Sequence, residues 1–339
     1  MYPHALIDLH CDTLTACLDE EFRRFYHAGT FQGDLRALLM DRVKGRDTLD
    51  LPGSHFALSQ IPPEVHWCQC CAIFVPDGLS QEERIAYYEL FQRSFLRQAE
   101  GFAGLAQACR SMEEVEAAWA AGKHALILTV ESGSALAGDL DRVEVLARDG
   151  VRMLTLTWNG ANELASGSAT DNGLSPFGRD ALSAMEELGI LADVSHLNDR
   201  SFWDVAEAAK KPFVASHSNA RSVCGHLRNL TDDQIRAMVE RRCLIGLNYS
   251  VHFLQDGGGG VQPEQLCRHL DRFLELGAED CLALGSDADG TDVPPWLNCT
   301  DKLAGLYGLL LEQGYPAGLL DRLFWKNAQT FFRASLTSV

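Results

Sequence analysis

Long apolar runs are missing from this sequence. No segment reaches 18 uninterrupted apolar residues, so no membrane-spanning helix is expected. Positive charge is scarce as well: 29 Lys and Arg stand against 47 Asp and Glu, a net charge of −18. A surface so negative repels nucleic acid and anionic lipid, which excludes both as partners. The opening, MYPHALIDLHCD, has no basic stretch followed by an apolar one, and no secretory leader is expected. The ending, FFRASLTSV, is too short and polar for a lipid-anchor signal. No linker, internal repeat or low-complexity tract divides the chain, so residues 1–339 read as one domain. Cysteine is not scarce, but the eleven thiols are odd in number and scattered. Cys68, Cys70 and Cys71 fall inside an apolar strand-like run, where cysteine serves as a small hydrophobe. So many thiols fit a reducing compartment, and a cytoplasmic location is expected.

What the sequence does have is alternation. Eight short, nearly all-apolar runs (6–9, 67–75, 125–130, 152–157, 190–194, 213–215, 244–247 and 282–284) have the character of strands covered on both faces. Helical patterns separate them. Ser111 to Glu114 and Thr231 to Gln234 are spaced as capping boxes, and Ser175-Pro176 is an N-cap followed by a first-turn proline. Phe202, Val205, Ala206 and Ala209 repeat with helical spacing. No glycine-rich phosphate loop follows the first strand, which disfavours an open, doubly wound sheet. The expected fold is α/β, a (β/α)₈ barrel with a long insertion after the first strand, over residues 13–66.

Barrel enzymes gather their chemistry at the C-terminal ends of the strands. There the first run ends in His10-Cys11-Asp12, whose residues i and i+2 point to one face of an extended segment. Glu131 ends the third run, His196 the fifth, His217 the sixth and Asp287 the eighth. Taken singly, each has an ordinary structural reading. Taken together, five strand ends carry His, Asp or Glu on one rim. Three histidines and two carboxylates suit a pair of zinc-like sites, and Glu131 has the two oxygens a bridge requires. Two cations about 3.5 Å apart would share one hydroxide as a nucleophile. Asp287 is placed to take its proton and pass it to a leaving amine. Mixed N and O ligation indicates Zn²⁺, and Mn²⁺ or Co²⁺ would also fit.

His10-x-Asp12, VESG with Glu131, DVSH with His196, ASHSNARSVCGHLRN with His217 and Arg228, and GSDADG with Asp287 resemble the membrane (renal) dipeptidase family, one of the amidohydrolase-like barrels. The order and spacing match over nearly the whole chain. The resemblance implies two zinc ions: His10 and Asp12 on one, His196 and His217 on the other, Glu131 bridging. It further implies that Asp287 manages protons and contacts the substrate amine, and that Arg228 binds the substrate carboxylate. Relatives hydrolyse dipeptides, often with a D residue at the C-terminal side, and commonly form homodimers.

One departure stands out. Family members usually carry His after the T-L-T of the fourth strand, whereas LTLTWNG places Trp158 there, followed by Asn159. Indole N–H can donate a hydrogen bond but cannot carry positive charge. Trp158, Asn159 and Tyr249 are expected to line the substrate pocket. Hydrolysis of an N-acyl amino acid, lactam or lactone on the same barrel is the alternative reaction. A non-catalytic metal-binding barrel is the third reading.

Overall fold

The computed structural model describes residues 1–15, 49–51 and 53–336. Among the described residues there are nine strands: β1 (Ala5–Cys11), β2 (His66–Phe74), β3 (Ala106–Ala108), β4 (His124–Glu131), β5 (Met153–Thr155), β6 (Leu191–Asp193), β7 (Val214–Ala215), β8 (Leu244–Leu247) and β9 (Leu282–Leu284). All pairings between them are parallel. The order β2-β1-β9-β8-β7-β6-β5-β4 is closed by a β2–β4 ladder, which makes an eight-stranded ring. The expected (β/α)₈ barrel is therefore the fold. β3 lies outside the ring, paired to β4 alone. Its sequence, Ala-Gln-Ala, is too short and too low in β-propensity to stand out as a strand.

Two apolar layers follow from this geometry. Ile7, Cys68, Ile127, Met153, Leu191, Val214, Leu244 and Ala283 come from all eight strands of the ring and form one cluster, which is possible only inside it. Leu6, Trp67, Leu128, Leu154 and Leu284 belong to the second, larger cluster between strands and helices. Cys68 and Cys71 fall in different clusters, because residues three apart on a strand face opposite ways. All ten cysteines within the described residues are free thiols.

The helices follow their caps. The main ones are α1 (Gln81–Gly101), α2 (Met112–Ala120), α3 (Arg142–Asp149), α4 (Pro176–Glu187), α5 (Asp199–Ala208), α6 (Asp232–Glu240), the short α7 (Val251–Leu254) and α8 (Pro263–Glu275). Helices over Thr300–Glu312, Ala317–Asp321 and Asn327–Ser335 close the chain. Ser175 accepts from Gly178 N at the start of α4, and Thr231 with Gln234 forms the full box of α6. Ser111 caps α2, but Glu114 reaches back to Arg110 N rather than to the cap itself. None of the described helices is long and apolar enough to cross a membrane. Of the expected insertion, residues 16–48 and 52 lie outside the described residues. The part after them buries Phe56, Leu58 and Ile61 in the outer layer. His55 N donates to Asp289 Oδ1 at 2.6 Å, which ties this segment to the loop that carries Asp287.

Candidate active site

The barrel brings the strand-end residues together at one mouth. On β1, Asp8 is opposite Gln69 but Cys11 is opposite Cys71, so β1 holds one extra residue. This bulge reverses the alternation of the strand. It leaves Cys11 in the outer layer, while His10 Nε2 lies 3.4 Å from Asp12 Oδ2. Glu131, the last residue of β4, is central: its Oε1 is 2.7 Å from His196 Nε2 and 3.7 Å from His217 Nε2. The two Nε2 atoms are 2.9 Å apart, and the His10 and His217 rings lie 4.0 Å centre to centre. His10, Glu131 and His217 form one metal-competent group, and His10, Asp12 and Asp287 another. His196 and Asp287 adopt φ of 74° and 58°, left-handed values that non-glycine residues hold only where the surroundings enforce them.

Burial dominates the electrostatics. It pushes Glu131 well above the usual carboxylate range, with Asp12 and Asp287 adding to the effect. Asp287 is pushed up to about 6 by burial, against the opposing pull of His10. Burial also holds His196 and His217 well below the ordinary imidazole value. His10 moves the other way, because Asp12, Glu131 and Asp287 outweigh its burial. Three buried carboxylates with so little compensation call for a cation. His10 Nε2 and Asp12 Oδ1 are buried, with no hydrogen-bond partner among the described residues. The residues present therefore fit divalent metal.

Above this cluster opens a cleft of 710 Å³, lined by Asp12, Glu131, His196 and Asp287 from below and by Trp158, Arg228 and Phe253 at its sides. Arg228 is only 5 % exposed, yet none of its three guanidinium nitrogens has a hydrogen-bond partner among the described residues. Its guanidinium sits 5.4 Å above the Phe253 ring, and burial lowers its pKa to about 10. Trp158 packs edge-on against Phe74 at 5.2 Å and faces His196 at 6.4 Å. Asn159 lines the cleft, and its Oδ1 is 3.0 Å from His196 Nδ1. Tyr249 does not line the cleft: it is buried in the outer apolar layer. Its neighbour Asn248 turns inward, donating to Asp287 Oδ2 at 3.0 Å, and alternation sends the next side chain the other way.

Three further residues shape the site without standing out in the sequence. Asp193, the last residue of β6, accepts from Thr155 Oγ1 and Ser216 Oγ, both at 2.6 Å. Ser216 Oγ in turn lies 2.7 Å from His217 Nδ1. At Gly290 a Cβ would stand 1.9 Å from Asp12 Oδ2 and 2.5 Å from Asp287 Oδ1, so only glycine leaves both carboxylates their space.

A family model described as membrane dipeptidase, peptidase family M19, matches residues 1–337. The chain belongs to this family. Two solved structures cover 98 % of it and are themselves covered to 99 %, each with a TM-score of 0.85: a metallopeptidase described as dipeptidase AC, 26 % identical, and a metallopeptidase of Rhodobacter sphaeroides, 25 % identical. The latter holds a phosphinate mimic of the dipeptide L-Ala-D-Ala. An uncharacterised protein of the pqqA 5′ region in Klebsiella pneumoniae is 33 % identical over 236 residues, 66 % of this chain and 87 % of that protein. The M19 chain is accordingly a metallo-dipeptidase, a hydrolase of peptide bonds.

Proposed function

We propose that this dipeptidase works with two Zn²⁺ ions per chain, held by His10, Asp12, Glu131, His196 and His217, with Glu131 shared between them. Bound there, the ions would polarise the scissile carbonyl and make water acidic enough to act as the nucleophile near neutral pH. The observation that carries the substrate reading is Arg228: a buried guanidinium with no hydrogen-bond partner among the described residues, lining the same cleft as the carboxylates. Its planar fork suits a substrate carboxylate, which would supply the missing acceptors. Asp287 takes the other end. Asn248 holds its Oδ2, and Oδ1 borders the space that Gly290 leaves open, placed to meet the α-amine and to relay a proton to the leaving nitrogen. Trp158 Nε1–H can donate toward the developing oxyanion but brings no charge.

The mimic bound to the Rhodobacter sphaeroides relative supports L,D-dipeptides as substrates here, and Arg228 and Asp287 together require both termini of the substrate free. A panel of L,L- and L,D-dipeptides, with N-acetylated and amidated counterparts, run beside elemental analysis, tests this. Free dipeptides should turn over fastest, on protein carrying about two zinc ions per chain. Faster cleavage of N-acetylated substrates would redirect the reading to N-acyl amino acid hydrolysis.

A further inference from the structure

Asp193 and Ser216 belong to the DVSH and ASHS segments, yet neither reaches the cleft. Both are buried. The Asp193 carboxylate receives four hydrogen bonds: Ser195 N and Ser216 N donate to Oδ1 at 3.0 and 2.9 Å, Thr155 Oγ1 and Ser216 Oγ to Oδ2. A carboxylate in this setting can only accept, and Ser216 has one hydroxyl hydrogen. The 2.6 Å contact with Asp193 claims that hydrogen over the 3.4 Å contact with Ser195 Oγ. Toward His217, 2.7 Å away, Ser216 Oγ is therefore an acceptor, and Nδ1 must hold the proton. Counting hydrogens leaves His217 Nε2 as a bare lone pair. The same count holds across the site, where Asn159 Oδ1 accepts from His196 Nδ1.

We propose that Asp193 is a positioning residue: acting through Ser216, it locks His217 in the Nδ1–H tautomer and so keeps the Nε2 lone pair directed at Glu131 and a divalent cation. The proposal rests on the metal-centre reading above. Carboxylates that orient metal-bound histidines are a general device, and losing one typically weakens metal binding by about 10–100-fold. Here the carboxylate works at one remove, with a serine hydroxyl between, and that makes its effect reversible in sign. In an Asp193→Asn variant the two backbone N–H groups at Oδ1 keep the amide oxygen, so the amide NH₂ falls toward Ser216. Ser216 then accepts from Asn and turns its hydrogen onto His217 Nδ1, forcing the proton to Nε2.

The test is Zn²⁺ affinity of the full chain, by chelator competition, for wild type, Asp193→Asn and the double variant Asp193→Asn/Ser216→Ala. The single variant should bind Zn²⁺ about 10–100-fold more weakly with its circular dichroism unchanged. The double variant should recover part of that loss, since removing the hydroxyl frees His217 from the wrong tautomer. Wild-type affinity in Asp193→Asn, or a double variant weaker than the single, would overturn the proposal. If Asp193→Asn does not fold, ¹⁵N-histidine NMR of metal-free wild type decides: a neutral His217 with its proton on Nδ1 supports the relay, and one with its proton on Nε2 overturns it. Wild-type protein that binds no Zn²⁺ would instead overturn the metal-centre reading itself.

Discussion

At the scale of single residues, the roles proposed for Arg228 and Asp287 separate binding from proton transfer. Asp287→Asn keeps the shape and the contact with Asn248, but an amide cannot take a proton. Metal content should stay at the wild-type level while kcat falls about 10²–10⁴-fold, measurable by elemental analysis beside steady-state kinetics. Arg228→Ala removes the proposed carboxylate partner, and KM for free dipeptides should rise roughly 10–100-fold with kcat less affected. Amidated dipeptides should lose little, and an equal loss for both substrates would remove Arg228 from carboxylate binding. His10, Asp12, Glu131, His196, His217 and Asp287 could be read from the sequence because each ends an apolar run, where a polar residue is conspicuous. Asp193 and Ser216 also end such runs, but they stand beside the more obvious histidines and carry no mark of a second layer. The strand-end position of Tyr249 suggests a pocket-lining side chain, but its packing shows that one step of alternation separates cleft from core.

At the scale of elements, the strands were legible for a physical reason. A strand covered on both faces must be apolar throughout, so eight of the nine announce themselves, while β3 outside the ring does not. The bulge in β1 has no such trace, because an inserted residue changes phase without changing composition. Where β7, β8 and β9 run side by side, Gly246 lets the backbones close up: a Cβ there would stand 1.9 Å from Ser216 O. Gly246→Ala should cost more than about 3 kcal/mol, visible as a large drop in thermal midpoint. His269 on α8 links two loops, its Nδ1 accepting from Ala220 N and its Nε2 donating to Leu254 O, both at 3.1 Å. Protonation would abolish the first bond, and burial holds its pKa down from 6.5 to about 4. Between those values the unfolded chain binds a proton that the native one refuses. The stabilisation is thus present above pH 6.5 and is lost as pH falls toward 4. From pH 7 to pH 5 this one group should remove about 2 kcal/mol. Urea unfolding of wild type and His269→Asn at both pH values checks it, since the variant should lack that increment.

At the scale of the whole molecule, the proposed metal centre and the barrel should stabilise one another. Asp12, Glu131 and Asp287 are buried within one mouth, and bound cations would relieve their mutual repulsion. Chelation should therefore lower the thermal midpoint as well as abolish turnover, with both restored by Zn²⁺. At free metal a hundredfold above Kd the linkage is worth about 2.7 kcal/mol, a shift of several degrees for a chain of this size. Differential scanning fluorimetry with and without chelator measures it, and an unchanged midpoint would argue that the carboxylates are neutral rather than metal-bound.

The seam between β1 and β9 carries one last consequence. His10 lies on β1, Asp12 directly follows it and Asp287 follows β9, so side chains from the first and the last of the described strands meet there. A nascent chain halted before β9 has all five of the proposed metal ligands but no closed ring to hold them. The capacity to cut dipeptides thus waits on β9, the strand that completes the ring.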